Sequence, residues 1–310
     1  MLFAYLHNSG IASRSNQSKY MSKVAVLGMG AMGSRMAAAL LRADYQVTVW
    51  NRTADKTSPL VEAGAKAAQT PRAAVEEVDF AVCMVRDDAA SHSVWLDSET
   101  GALASLPGRA VAIESSTLSV AWVQELAGHF QAAGKALLDA PVSGSRPQAE
   151  AAQLIYLVGG DTGRVAKAEP ILKVMGGTVH HAGPLGSGAA VKLAINALLG
   201  VQVAVMGELI ALLRRYGIDE ARAVEMIGAT SVCSPAARGA ASAMAARNYA
   251  PLFPSALMEK DLGYLQEMAA EHGTRAPLAQ AARSVFGEAM GQGYGEENMT
   301  GVVQLYWPGP

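Results

Sequence analysis

Little in this chain marks a special environment. Its 310 residues include two cysteines, Cys83 and Cys233. One stands in an apolar stretch, the other in a helical region, and no C-x-x-C or metal-ligand spacing surrounds either. That argues against a disulfide framework and a thiolate metal site, so a reduced, cytoplasmic setting without a structural metal is expected. Charge is also scarce, at 17% of residues with a formal net charge of -2. A chain so balanced offers no broad basic field for nucleic acid or an anionic membrane, and neither is an expected partner. The apolar opening Met1–Leu6 is too short for a signal-peptide core or a membrane span, and His7–Tyr20 is polar and aperiodic. Residues 1–20 are therefore expected to form a flexible extension outside the fold. What the chain does have is 51% hydrophobic residues and 31 glycines. That composition and length suit a soluble α/β protein with room for two cores.

The glycines are not scattered evenly. Gly28-Met29-Gly30-Ala31-Met32-Gly33 forms a full G-x-G-x-x-G between the apolar run Val24–Leu27 and a helical segment, Ser34–Leu41. In that frame the first glycine permits a tight turn and the second lets the backbone approach a pyrophosphate. The third lets the helix pack close, with its N-terminal N–H groups facing the phosphates. A dinucleotide site is the expectation. The next strand-like run, Tyr45–Trp50, ends in Asn51-Arg52-Thr53, where an acidic residue would bind a free ribose 2′-hydroxyl. A guanidinium suits a 2′-phosphate instead, so NADP(H) is expected over NAD(H). An ordinary surface arginine in a turn is the plain alternative.

Short apolar runs then alternate with helical stretches. Phe80–Val85, Ala110–Ile113, Ala136–Ala140 and Ala152–Val158 read as strands, and Ser119–Gly134 and Thr162–Met175 as helices. The rhythm predicts parallel strands with crossover helices. A glycine-rich linker, Gly183–Gly188, breaks it, and beyond lie helical patterns over Ala189–Tyr216, Asp219–Ile227, Ala236–Arg247, Glu259–His272 and Ala276–Met290. The expected architecture is an N-terminal doubly wound Rossmann domain (21–184) followed by an all-helical C-terminal domain (185–310), joined by a long interdomain helix. That helix is apolar on several faces, which points to helices of two copies packing together in a homodimer or homotetramer; enclosure within one chain is the alternative.

Polar residues inside apolar surroundings mark the candidate chemistry. Lys192 and Asn196 are four apart on the long helix, hence on one face, among Ala189, Ala190, Val191, Leu193, Ala194, Ile195, Ala197 and Leu198. An unpaired ammonium or amide in an apolar wall is costly. Either the lysine snorkels to water near the helix start, or it serves as a proton donor to a substrate oxygen with Asn196 beside it. Asp139-Ala140-Pro141-Val142-Ser143-Gly144-Ser145 leaves the end of a predicted strand, the edge where such sheets bind ligands. Its Gly144 backbone and Ser143 hydroxyl could present donors to a carboxylate; an ordinary strand-exit loop is the alternative. Ser115-Ser116-Thr117 forms a further polar loop at that edge.

In order and spacing, these motifs together with Lys260-Asp261-Leu262 resemble the β-hydroxyacid dehydrogenases. That group includes 3-hydroxyisobutyrate dehydrogenase, tartronate semialdehyde reductase and glyoxylate/succinic semialdehyde reductases. The resemblance spans about residues 22–305. It implies that Lys192 is the catalytic lysine with Asn196 its neighbour, and that Ser143 and Gly144 bind the substrate carboxylate. It places Thr117 near both nicotinamide and substrate, and has Phe253 and Asp261 close the pocket. Met84, Val85 and Lys260 join Gly28–Gly33 and Asn51–Thr53 on the cofactor side. The implied reaction is NADP(H)-dependent reduction of a small carboxylate-bearing aldehyde of the tartronate semialdehyde, glyoxylate or succinic semialdehyde type. Oxidation of 3-hydroxyisobutyrate is one alternative and a non-catalytic NADP-binding scaffold another, the latter opposed by the presence of Lys192, Ser143 and Asn196. Two departures stand out: Met84-Val85-Arg86-Asp87 replaces a Met-Leu-Pro turn, and Glu114 stands where Asp is usual.

Overall fold

The apolar run Lys23–Leu27 forms strand β1, buried on both faces from Val24 onward. In the computed structural model, which describes residues 22–307, it is an interior strand, third from one edge, of a nine-stranded sheet. The expected extension 1–20 lies outside the described residues. Strands β2 (Gln46–Trp50), β3 (Lys66–Ala67), β4 (Phe80–Cys83), β5 (Val111–Glu114) and β6 (Ala136–Asp139) follow. Strands β7 (Val142–Ser143), β8 (Leu154–Gly159) and β9 (Gly176–Gly183) complete the sheet. The order is β3-β2-β1-β4-β5-β6-β8-β7, with β9 beside β8.

Pairings from β3 through β6 are all parallel, as near-continuous apolar strands covered on both faces require. The chain leaves β1 to pair β2 on one side and β4 on the other, so the order reverses there and the carboxyl ends open a crevice.

Beyond β6 the all-parallel expectation fails. β8 runs antiparallel to β6 and β7. The connection before it holds only the five-residue helix Arg146–Glu150, too short for a crossover, so the chain doubles back. β9 escapes the sequence pattern altogether. Its GGTVHHAG is poor in apolar residues because it pairs only along β8 and is mostly solvent-facing.

Two cores cover the faces of the sheet and a third fills the helical half. The 29-residue helix Ser187–Arg215 belongs to two of them. Ala189 and Leu193 pack into a sheet-side core, whereas Val203, Met206 and Ile210 pack into the helical one. Helices Glu220–Gly228, Pro235–Ala245, Ser255–Glu271 and Pro277–Gly291 and the 3₁₀ segment Met299–Tyr306 follow it. This single helix carries Lys192 from the edge of the sheet into the helical bundle.

Candidate active site

The loop after β1 divides its glycines by task. Gly28 adopts φ 105°, and a Cβ there would lie 2.3 Å from the Met84 carbonyl oxygen. At Gly33 the same atom would lie 2.0 Å from the Gly28 carbonyl oxygen, so the helix Gly33–Arg42 rests directly on the turn. Gly30 is different: it is exposed and has nothing within 4 Å of such a Cβ. The loop is thus crowded at both ends and open in the middle, which fits a dinucleotide phosphate approaching the backbone.

Asn51 ties this loop to the end of β2. Its Oδ1 accepts the Met29 N–H at 2.9 Å, and its Nδ2 donates to the Thr53 carbonyl at 2.8 Å. Arg52 and Thr53 are exposed beside it. Met84 and Val85 leave the end of β4, half-buried, and the Val85 N–H donates to Ser116 Oγ at 2.8 Å.

That bond belongs to a buried network centred on Glu114. Its carboxylate accepts Ser91 Oγ at 2.7 Å, Trp95 Nε1 at 2.8 Å and the Ser116 N–H at 3.0 Å. Burial pushes the carboxyl upward, and these donors pull the other way. Glu114 and Ser116 therefore hold together the loops leaving β4 and β5. Ser91 and Trp95, on the helix Asp88–Leu96, have no signal in the linear pattern, and the departure at Glu114 was the one clue to them.

The structure brings Lys192, Asn196, Lys260, Asp261 and Thr117 into one cluster. Lys192 is 9% exposed, Asn196 3% and Asp261 2%. Asn196 Nδ2 donates to Asp261 Oδ2 at 2.6 Å. Lys260 Nζ donates to the Thr117 carbonyl at 2.8 Å and lies over the Tyr264 ring, 4.5 Å from its centroid. The same ammonium is 2.8 Å from Asp261 Oδ1, a chiefly Coulombic contact that adds to the hydrogen bond with Thr117. Lys260 thereby connects the loop after β5 to the helix Ser255–Glu271.

Burial lowers the Lys192 ammonium from the ordinary lysine range to about 8. The Asp261 carboxylate opposes the shift, and the Lys260 charge adds to it. A lysine so placed can hold its proton at neutral pH and still release it in mildly alkaline solution, which is what acid–base work in both directions requires. The snorkelling alternative does not describe this side chain, which is buried beside Asp261.

Ser143 ends β7 and Gly144 follows it, at φ 121°. No hydrogen bond among the described residues joins Ser143 to the lysine cluster. Phe253 packs against the helical core, and its N–H donates to Asn298 Oδ1 at 3.0 Å. Arg86 reaches across from the loop after β4 to within 3.9 Å of Glu296.

Known proteins resemble the chain over nearly all of its described length. Residues 23–183 match the family model described as the NAD binding domain of 6-phosphogluconate dehydrogenase. Residues 186–306 match the model described as NAD-binding of NADP-dependent 3-hydroxyisobutyrate dehydrogenase. The chain is 33% identical to the NAD-dependent L-serine dehydrogenase of Pseudomonas aeruginosa, covering 93% of this chain and 99% of that one. It is 32% identical to glyoxylate/succinic semialdehyde reductase 2, chloroplastic, of Arabidopsis thaliana, covering 91% and 78%. Among solved structures it superposes on the 3-hydroxyisobutyrate dehydrogenase of Mycobacterium tuberculosis with L-serine at a TM-score of 0.85, with 28% identity over 93% of this chain and 100% of that one.

Proposed function

The chain belongs to the β-hydroxyacid dehydrogenase family, oxidoreductases of CH–OH groups that use a nicotinamide dinucleotide, and from that premise we propose that it is NADP(H)-dependent and reduces a small carboxylate-bearing aldehyde to the hydroxyacid. The sheet half (21–184) holds the cofactor and the helical half (185–310) supplies the proton donor. The observation that carries the reading is Lys192, a buried ammonium on an apolar helix beside Asn196 and Asp261.

When bound, a nicotinamide dinucleotide would supply hydride chemistry at the carbonyl carbon in either direction. Lys192 gives its proton to the developing alkoxide and stabilises the charge there. In oxidation its neutral amine takes the proton back, which the lowered pKa favours. Asn196 holds Asp261 close to the lysine, and Ser143 and Gly144 receive the substrate carboxylate. Gly28–Gly33 would hold the pyrophosphate, Met84, Val85, Thr117 and Lys260 would flank the nicotinamide side, and Phe253 would close the pocket. NADP(H) is favoured by Arg52, exposed at the end of β2 where no carboxylate stands.

The deciding experiment is Lys192→Ala. It should keep its fold and its NADPH binding while kcat falls by about 10²–10⁴, the contribution of a positioned acid. Initial rates would be measured with glyoxylate, tartronate semialdehyde and succinic semialdehyde, using both reduced cofactors. If Lys192→Ala keeps more than about a tenth of the wild-type kcat, a bound set by the low end of that range, the assignment fails. A wild-type protein that binds NADPH and turns over none of these substrates, nor 3-hydroxyisobutyrate in oxidation, would instead be a scaffold.

The same long helix supports a homo-oligomer. Val191, Leu198, Val205 and Leu212 are exposed and spaced by heptads. Two copies packed antiparallel about residues 201–202 would set Val191 against Leu212 and Leu198 against Val205, a self-complementary two-fold contact. Light scattering on Leu198→Glu should show monomers in place of the wild-type oligomer; an unchanged mass would remove this contact.

A further inference from the structure

Asp139 ends β6 with its side chain fully inside the molecule, 1% exposed. Its Oδ1 accepts the Gly186 N–H at 3.0 Å and its Oδ2 accepts the Ala189 N–H at 2.9 Å. Both donors belong to the start of the helix Ser187–Arg215, whose N-cap residue, Gly186 at φ 91°, has no side chain with which to cap it. The first N–H groups of a helix lack partners within it, and its positive dipole end favours an anion. Here a carboxylate from a strand supplies what the helix's own sequence does not.

Two glycines make room for that carboxylate. A Cβ on Gly159 of β8 would lie 2.2 Å from Asp139 Oδ1, and one on Gly188 would lie 2.8 Å from Oδ2. β6, β8 and the long helix therefore close around one side chain. From Asp139 the chain runs on through Ala140 and Pro141 to Ser143 and Gly144, while Lys192 follows Ala189 by one helical turn.

We infer that Asp139 is a positioning residue for the proton transfer: by clamping the first turn of the helix to the end of β6, it fixes the Lys192 ammonium relative to the Ser143–Gly144 loop. The inference rests on the catalytic role proposed for Lys192. Its reach is considerable, because a displacement of about 1 Å in a reacting group can cost on the order of 10²-fold in rate. The first turn already packs closely, with Ala189 buried in the sheet-side core, and the two hydrogen bonds to one buried carboxylate add a fixed distance and direction to that packing.

Asp139→Asn in the full chain is the test. The amide has nearly the shape of the carboxylate but accepts through one atom only, so its NH₂ faces one of the two backbone donors. It also removes a buried charge, which offsets part of the lost bonding. The expected result is a kcat lowered by roughly 10–100-fold, with a full stoichiometry of NADPH binding and a dissociation constant close to wild type. A merely structural role would lower the fraction of molecules that bind NADPH along with the rate, leaving kcat per binding site unchanged.

Ala189→Pro is the second variant, decisive if Asp139→Asn does not fold. It removes one of the two donors, the Ala189 N–H, which has no partner within the helix. It should lower kcat per NADPH-binding site in the same direction. A kcat per site within about twofold of wild type in the folded variant, far short of the loss a misplaced group causes, overturns the positioning role. Lys192→Ala separates the two claims. If that variant stays active, the catalytic reading falls; if it is inactive while Asp139→Asn is not, only the positioning claim falls.

Discussion

The sheet half and the helical half build their shares of the site from different materials. In the sheet half the proposed cofactor loop works through its backbone: Gly28 and Gly33 sit where a Cβ would strike a carbonyl oxygen, and Gly30 stands open between them. In the helical half the working parts are side chains, Lys192, Asn196, Lys260 and Asp261, brought together from two helices. A backbone site keeps its fold wherever an added side chain has room, even where the ligand then does not, whereas a side-chain site depends on the charge and reach of each member. The two halves should therefore fail in different ways under mutation.

The largest effect expected outside Lys192 itself lies at the edge of the backbone site. Arg52 is exposed and makes no ion pair among the described residues, so its removal should leave the fold intact. If it meets the 2′-phosphate, Arg52→Ala loses a charged hydrogen bond worth roughly 1.5–3 kcal/mol, or about 10–150-fold in affinity. NADPH should weaken by that factor while NADH barely changes, as read by fluorescence titration of each. Equal weakening of both would make Arg52 a structural residue and leave cofactor choice to another group.

Next comes the charge dependence of the side-chain site. Burial lowers Lys192 to about 8, and if it is the proton donor proposed above, reduction uses its ammonium. kcat/KM for reduction should be flat at neutral pH and fall about tenfold per unit above the midpoint, while oxidation rises through the same range. The Asp261 carboxylate favours the ammonium, so Asp261→Asn should move the midpoint down. The groups facing Lys192 from the neighbouring helix are Asp261 and Lys260, and Lys260→Met should move the midpoint the other way. A midpoint indifferent to both would show that another group carries the proton.

The same contrast explains what the linear sequence reveals. Gly28–Gly33 is legible because a local turn needs its glycines at fixed spacing, and β1, β4 and β5 are legible because strands buried on both faces are continuously apolar. Lys192 and Asn196 are legible because they interrupt an apolar helix. β9 is not, since an exposed strand with few apolar residues takes its pairing from β8. Nor is the Glu114 network, whose donors Ser91 and Trp95 stand 23 and 19 residues away. The bond from Asn196 to Asp261 spans 65 residues, and only the folded chain shows the pair. Long-range partners of polar side chains leave no periodicity behind.

The smallest expected change in the fold, and the finest test of the contrast, is Gly30→Ala. The added Cβ would meet nothing within 4 Å, and Gly30 has no positive φ that would strain an alanine. Stability should therefore stay within about 0.5 kcal/mol of wild type, as for other exposed substitutions. The methyl group would, however, occupy the open middle of the loop, where the pyrophosphate must approach the backbone. Cofactor affinity should fall for NADPH and NADH alike, unlike the selective loss at Arg52, while the melting temperature is unchanged. Gly33→Ala should do the reverse, disturbing the fold first, because its Cβ would lie 2.0 Å from the Gly28 carbonyl oxygen. If Gly30→Ala binds both cofactors as tightly as wild type, the open middle is not where the phosphates sit. The division of tasks among the three glycines would then be wrong, even though the packing at Gly28 and Gly33 stands.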